Sequence, residues 1–283
     1  MLTEGKLTVE GLPAGAIVGT FGMFDAVKSG VLDAYHSFDV YWPGKIPAAT
    51  FLSFYPFAMD RPDQWQTWYD VLGGKEIARQ AYGAHNMMYL DPIQHDDNLI
   101  HSKVPIRSFE DFKGKNIRFP GGIIADIYSA AGVSTVLLPG GEVNPAMEKG
   151  VIDASDFVGW AVNYNLGFAE IAKYIIMGPP SKPGLHQPVD LMSIEINMNS
   201  RKKILKHLQD LLEAAVTWHP WDHYTGIQKA DLEAIPKYKA KGVEIIRLKE
   251  SDIEKFQKFA PELWVKWAQK DPLAMKAFKS QWE

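Results

Sequence analysis

Strand and helix signals that alternate at short spacing, and do so in two parts of the chain, predict an α/β fold of two similar lobes. The first observation is the run 113–160, KGKNIRFPGGIIADIYSAAGVSTVLLPGGEVNPAMEKGVIDASDFVGW. It reads as strand (116–119), helix (125–131), strand (135–138), short helix (145–149) and strand (151–154), the first four closed by Gly or Pro-Gly-Gly. Such alternation with short connections argues for a parallel sheet. The second observation is a repeat. Residues 26–34 read AVKSGVLDA and residues 146–154 read AMEKGVIDA, in both cases a helix end, a glycine stop and a strand. Two like lobes leave a cleft between them, where small ligands usually bind.

The remaining elements follow in order. Residues 6–10 alternate like a strand. Residues 21–29 have helical spacing and stop at Gly30, and 31–35 read as a strand. Tyr41 and Trp42 follow it, in a turn set by Pro43-Gly44. Residues 64–72 place Trp65, Trp68, Tyr69 and Leu72 on one helical face, and 75–82 continue as a second helix. Residues 87–90 are strand-like. The polar run PIQHDDNLIHSK (92–103) has two readings: a metal cluster of His95, Asp96, Asp97 and His101, or a crossover between lobes. The histidine spacing fits no common helical ligand pair. Ser108 to Asp111 has the spacing of a capped helix start. Residues 167–174 look helical. The loop MGPPSKPGLHQP (177–188) is kept irregular by its prolines and glycines. A strand is expected over 191–198 and a long helix from Ser200, kinked or ended by Pro220, resuming at 224–240. A strand at 243–248 precedes a capping box, Ser251 to Glu254, that opens one helix carrying Phe256, Phe259, Leu263, Trp264 and Trp267. A short helix, 273–282, ends the chain.

Composition narrows the function. The 283 residues are 46% hydrophobic and 23% charged, in the globular range. A net charge of −4 argues against general binding to a phosphate backbone. With no cysteine, disulfides, thiolate metal sites and cysteine nucleophiles are excluded. No apolar run approaches the ~20 residues of a membrane helix. The first residues, MLTEGKLTVEGLPAG, lack the basic-then-apolar order of a signal peptide. No G-x-S-x-G, H-E-x-x-H, P-loop or G-x-G-x-x-G signature of an enzyme is present.

In open α/β sheets ligands sit outside the carboxyl ends of the strands. Arg118 lies on the first strand of the run 113–160 and Asp156 just past the third. A buried guanidinium must be paired. Its partner is either a structural carboxylate, with Glu142 the candidate, or an incoming carboxylate held in a bidentate fork. Asp97 and Asn98 are the members of the polar run placed best to touch a ligand, because they come last before the strand-like Leu99-Ile100.

At this point nearly the whole chain resembles the periplasmic solute-binding subunits of TRAP (tripartite ATP-independent periplasmic) transporters. The residues that carry the resemblance are GTFGMFDAVKSGVLDA, YWPGKIPA with YPFAM, SFEDFKGKNIRFPGG and GGEVNPAMEKGVIDASDFVGW. They are most similar to the branch that binds 2-oxo or 2-hydroxy monocarboxylates with a metal ion. The resemblance implies a two-lobed periplasmic-binding-protein-like fold with crossing strands and a long connecting helix. Lobe I would hold 1–93 with 189–225, and lobe II 94–188 with 226–283. It implies that Arg118 pairs with the ligand carboxylate. It implies further that Asp156, the Phe157 carbonyl and Gln187 hold a cation, and that Asp97 or Asn98, Tyr41, Trp42, Phe157 and Trp160 face the ligand. Such oxygen donors suit Ca2+ or Na+. It also places a strand and a helix ahead of the segment that matches 6–30, which this sequence lacks. The expected role is binding without turnover in the periplasm, with membrane subunits as partners and no nucleic acid. The face of Phe256, Phe259, Leu263, Trp264 and Trp267 with Met275, Phe278 and Trp282 would make a dimer contact or pack on its own lobes. The rival readings are a metal-assisted enzyme on the same acids, with His186 or His101 as base, and a sensor domain with the same lobes.

Overall fold

The computed structural model describes residues 3–282. In chain order the elements are α1 (Met23–Ser29), β1 (Ala34–Phe38), α2 (Ala49–Leu52), α3 (Pro62–Asp70), α4 (Gly74–Gly83), β2 (Met87–His95), β3 (Leu99–Ser102), β4 (Asn116–Arg118), α5 (Gly122–Ala130), β5 (Ser134–Val136), α6 (Gly140–Glu148) and β6 (Ala154–Phe157). There follow α7 (Trp160–Asn165), α8 (Phe168–Ile171), β7 (Tyr174–Met177), β8 (Asp190–Asn197), α9 (Met198–Lys202), α10 (Lys206–Ala240), β9 (Glu244–Arg247), α11 (Glu250–Gln257), α12 (Ala260–Ala268) and α13 (Pro272–Ser280).

These strands make two sheets. One has the order β1-β8-β2, antiparallel throughout, and the other β5-β4-β6-β3-β7-β9. In the second, β4 runs parallel to both β5 and β6, as the alternation in 113–160 predicts, and β7 runs parallel to β9. Two extended segments cross between the sheets, and α10 makes a third passage, from β8 to β9. The chain leaves β2 at His95 and enters β3 at Leu99, and it leaves β7 at Met177 and enters β8 at Asp190. The polar run 92–103 is therefore a crossing. His101 is spent inside the second sheet, its Nε2 3.0 Å from the Tyr238 hydroxyl and its Nδ1 3.4 Å from Asn163 Nδ2. α10 packs on β2 of one sheet and on α7 beside the other. The α/β class is what the residue pattern predicts, and the crossing strands and long connecting helix are what the resemblance implies.

The repeated segment forms one local structure twice. Gly30 (φ 82°) and Gly150 (φ 74°) end α1 and the helix α6 in the left-handed region, where glycine has no Cβ penalty. After each, two amides turn back to one carbonyl: Val31 and Leu32 to Ala26, and Val151 and Ile152 to Ala146. Each copy then enters a strand at its final alanine, Ala34 or Ala154.

Several expectations need correction. Residues 6–10 form no strand. Val9 is 80% exposed, and without a neighbour to complete its ladder alternation alone does not make a strand. The turn-back after each repeat glycine delays β1 and β6 by three residues, to Ala34 and Ala154, so Asp156 lies within β6. Residues 167–174 are not one helix: α8 ends at Ile171, and Tyr174–Met177 joins the sheet. α7 is a helix that the sequence pattern does not predict. Pro220 and Pro236 do not break α10, which runs 35 residues. Pro220 is buried, and packing along the sheet compensates for its missing amide. The helix expected to open at the Ser251 box opens at Glu250 with Lys249 as cap, and divides into α11 and α12 near Phe259. Ser108 and Asp111 do form their capping box, over a 3-10 turn.

The apolar face considered for a dimer is spent largely inside the chain. Phe256 is fully buried, Trp264 Nε1 donates to the Pro56 carbonyl at 3.2 Å, and Phe278 packs 5.3 Å from Phe51.

Candidate functional site

β4 and β6 run side by side and present their carboxyl ends to the crossings, which is where an open sheet collects ligands. Arg118 ends β4 and is 2% exposed. Its Nε donates to the Leu138 carbonyl at 3.1 Å, its Nη1 to the Asp156 carbonyl at 2.9 Å, and its Nη2 reaches the Tyr41 hydroxyl at 3.5 Å. The guanidinium lies over the Phe157 ring, 5.0 Å from its centroid, a cation–π contact. All its hydrogen-bond partners are neutral, and Glu142 is exposed at the start of α6. The structural-carboxylate alternative is therefore not taken up. A guanidinium has five N–H groups, so one on each of Nη1 and Nη2 is uncommitted.

Asp156, Asn98, His186 and Gln187 surround the adjoining space. Asp156 is wholly buried, and Asn98 Nδ2 donates to its Oδ2 at 3.3 Å. The Asn98 amide donates to the Gln187 carbonyl at 3.0 Å, tying one crossing to the other. His186 Nδ1 pairs with the Tyr128 hydroxyl at 2.7 Å, which turns Nε2 toward Asp156 Oδ1, 3.8 Å away. Among the described residues, Asp156 Oδ1, Asn98 Oδ1, Gln187 Oε1 and His186 Nε2 are buried and have no hydrogen-bond partner. An unsatisfied buried polar atom costs about 1–3 kcal/mol, so four on residues that contact one another in series mark a candidate site.

Electrostatics agree. Burial pushes the Asp156 carboxyl up to about 8, with Arg118 and the Asn98 hydrogen bond opposing. Burial pushes Asp190 up to about 7, opposed by His95, and holds His186 down to about 3. Both acids are thus held neutral at the low-pH side of 7, and a cation among them would favour their charged forms. The donor set fits such an ion: a carboxylate and two amide carbonyls are hard oxygen ligands.

A cavity of about 20 Å³ lies between Phe38, Val40 and Tyr41 on one side and Asn98, Arg118, Pro120, Phe157 and Val158 on the other, with Asp190 beside them. Of the residues expected to face a ligand, the fold brings together Arg118, Asn98, Tyr41, Phe157, Asp156 and Gln187. Asp97 does not line this cavity: it is half-buried, and burial, then Asp96 and Asp231, push it up to about 7. Trp42 is 1% exposed among Phe24 and Tyr35. Trp160 packs on Tyr238, 5.6 Å away, in the core beside β3. Asp190 escapes a sequence reading because an acid at the head of a strand after proline looks like a turn residue. His186 stands out only as the neighbour of Gln187.

A family profile described as DctP, bacterial extracellular solute-binding protein, family 7, matches residues 1–271. The monocarboxylate 2-oxoacid-binding periplasmic protein of a Nostoc species is 26% identical over 284 aligned positions, covering 100% of this chain and 76% of that one. Two solved structures share the fold. A TRAP transporter solute-binding protein from Bordetella bronchiseptica, with calcium and picolinate in one active site of a dimer, superimposes with a TM-score of 0.90 at 25% identity, covering 99% of this chain and 82% of that one. A TRAP periplasmic solute-binding protein from Colwellia psychrerythraea, with bound calcium and pyruvate, gives 0.82 at 27% identity, covering 92% and 78%. Fold and profile agree: the chain belongs to the DctP family, family 7 of the bacterial extracellular solute-binding proteins.

Proposed function

We propose that the protein captures a small 2-oxo or 2-hydroxy monocarboxylate, such as pyruvate or lactate, together with Ca2+ or Na+. Capture is by closure of its lobes, divided as 1–93 with 189–225 and 94–188 with 226–283. It delivers the acid, in the periplasm, to the membrane subunits of a TRAP transporter. The observation that carries this reading is the meeting of two complementary devices in one buried space. Arg118 offers two uncommitted N–H groups, and beside it stand the orphaned oxygens of Asp156, Asn98 and Gln187.

The relatives support the ligand class. The Nostoc protein is named for 2-oxoacids, and the two structures hold calcium with pyruvate or with picolinate. Pyruvate and picolinate share one chemical feature: a carboxylate with a second donor atom on the adjacent carbon, a chelating pair for a hard cation. In the cleft the cation would supply the positive charge that Asp156 and the ligand oxygens share, and Asp156, Gln187 and the Phe157 carbonyl would hold it. Arg118 then takes the remaining carboxylate charge, and the ligand's contacts to both lobes favour the closed form.

The site binds without turnover. His186, the nearest imidazole, is fully buried, with Nδ1 engaged by Tyr128 and its pKa held down to about 3, far from the range of a base at neutral pH. The test is a thermal-shift screen of C2–C5 acids with Ca2+, with Na+ and with EDTA. Ligand at ~100 Kd stabilises by about 2.7 kcal/mol. A shift confined to 2-oxo and 2-hydroxy acids with the cation present is expected. Equal shifts for all acids in EDTA, or consumption of the acid, would reject the reading.

A further inference from the structure

Away from the cleft, on the face of the three-stranded sheet that α10 covers, three imidazoles meet. His219 and His223 are four residues apart on α10, so they share a helical face. His36 comes from the edge strand β1, and its register opposite Ile194 turns it toward the same helix. Their ring centroids form a closed triangle: 5.5 Å between His219 and His223, 6.0 Å between His36 and His219, and 6.1 Å between His36 and His223. Imidazoles that share one tetrahedral cation, with Nε2 about 2.1 Å from it, have centroids roughly 5.2 Å apart. The triangle is within about 1 Å of that spacing.

We propose that His36, His219 and His223 form a binding site for a borderline transition-metal cation such as Zn2+, separate from the hard-cation site of the cleft. His223 Nδ1 lies 2.9 Å from the Gln94 carbonyl, which fixes the proton on Nδ1 and leaves the Nε2 lone pair for a metal. Ligating histidines are commonly held this way. Behind it His95 packs 5.2 Å from His223 and is itself held by Asp96 at 2.5 Å, so the back of the site is braced. Partial burial first, and then the neighbouring imidazoles, lower the pKa of His36, His219 and His223, with the Gln94 carbonyl opposing at His223. Neutral rings are the ligating form. As the side chains stand, no three donor groups among the described residues already converge on one point. Binding therefore draws the rings together by turns about their side-chain bonds, on a face that His36 opens to solvent. Three imidazoles leave the fourth position of a tetrahedral ion to water.

The test is titration of the untagged, metal-free protein with Co2+, read by its visible ligand-field absorption, followed by displacement with Zn2+. One Co2+ per chain with bands of low-coordinate intensity is expected, lost on adding one equivalent of Zn2+. His36→Gln, His219→Gln and His223→Gln should each weaken Co2+ binding by on the order of tenfold or more. Asp156→Asn should leave it unchanged, and metal-free unfolding of the histidine variants should match the parent. The proposal is overturned if stoichiometric Co2+ gives no bands, if the bands survive in the His36→Gln/His219→Gln double variant, or if Asp156→Asn abolishes them.

Discussion

Asp156→Asn should have opposite effects on the empty and the loaded protein. In the folded chain, burial raises the Asp156 pKa from 3.8 to about 8. Unfolded, the same carboxyl titrates near the ordinary value of an aspartate, 3.8. Below pH ~4 both states are protonated and the group's contribution is fully present. Between ~4 and ~8 the unfolded chain has lost the proton that the folded chain keeps, so stability falls as pH rises. Above ~8 both are ionised and the loss is complete. At ~1.4 kcal/mol per unit the total is on the order of 5 kcal/mol. Asparagine has nearly the same shape, can still accept from Asn98, and does not titrate. The apo variant should therefore match the parent near pH 4 and be the more stable of the two at pH 8.5. At about 2–4 °C per kcal/mol the gap in Tm is on the order of 10 °C. With pyruvate and Ca2+ the order reverses, because the amide cannot supply the anionic oxygen. The assay is thermal unfolding from pH 4.5 to 8.5, with EDTA and with ligand. Apo curves for the two proteins that run parallel across the range, or a calcium-dependent pyruvate shift retained in Asp156→Asn, would refute the reasoning.

Other perturbations test separate contacts. Arg118→Lys keeps one charge but cannot serve Leu138, Asp156 and a carboxylate together; acid affinity measured by calorimetry should fall on the order of 100-fold, about 3 kcal/mol, as for a lost charged hydrogen-bonded partner. A Cβ at Gly140 would stand 2.7 Å from Phe157 Cζ. Gly140→Ala should push that ring off Arg118 and weaken acid binding several-fold, with Tm changed little. A Cβ at Gly159 would meet the Asp96 carboxyl and stand 2.8 Å from Asp231 Oδ2, two groups that bond the amides of Gly159 and Ala161. Gly159→Ala should therefore cost at least ~2 kcal/mol in denaturant unfolding.

The parts of the fold legible in the sequence were those fixed by local chemistry. The glycine stops at Gly30 and Gly150, the alternation around Arg118 and the cap at Ser108 all act within a few residues, and each stands where its pattern placed it. What escaped depends on neighbours brought in from afar. Tyr174–Met177 becomes a strand because β3 and β9 flank it, and 6–10 fails to because nothing does. Pro220 stays helical because the sheet holds α10 on both sides of it. The same division runs through the site. Arg118 and Asp156 were visible as charges at strand ends, Asn98 by its place at the end of the polar run, and Gln187 through the family resemblance. Asp190, the tie of His186 to Tyr128, and the meeting of His36 with His219 and His223 are tertiary facts. The last joins residues more than 180 positions apart (219 − 36 = 183), and no local signal marks it.

The most direct measurement is a crystal structure of the protein grown with Ca2+ and pyruvate, with the ion located by its anomalous scattering. The account predicts one ion about 2.3–2.6 Å from Asp156 and Gln187 oxygens, sharing with Arg118 a single pyruvate carboxylate. An ion bound elsewhere, or a pyruvate seated without touching Arg118, would contradict it.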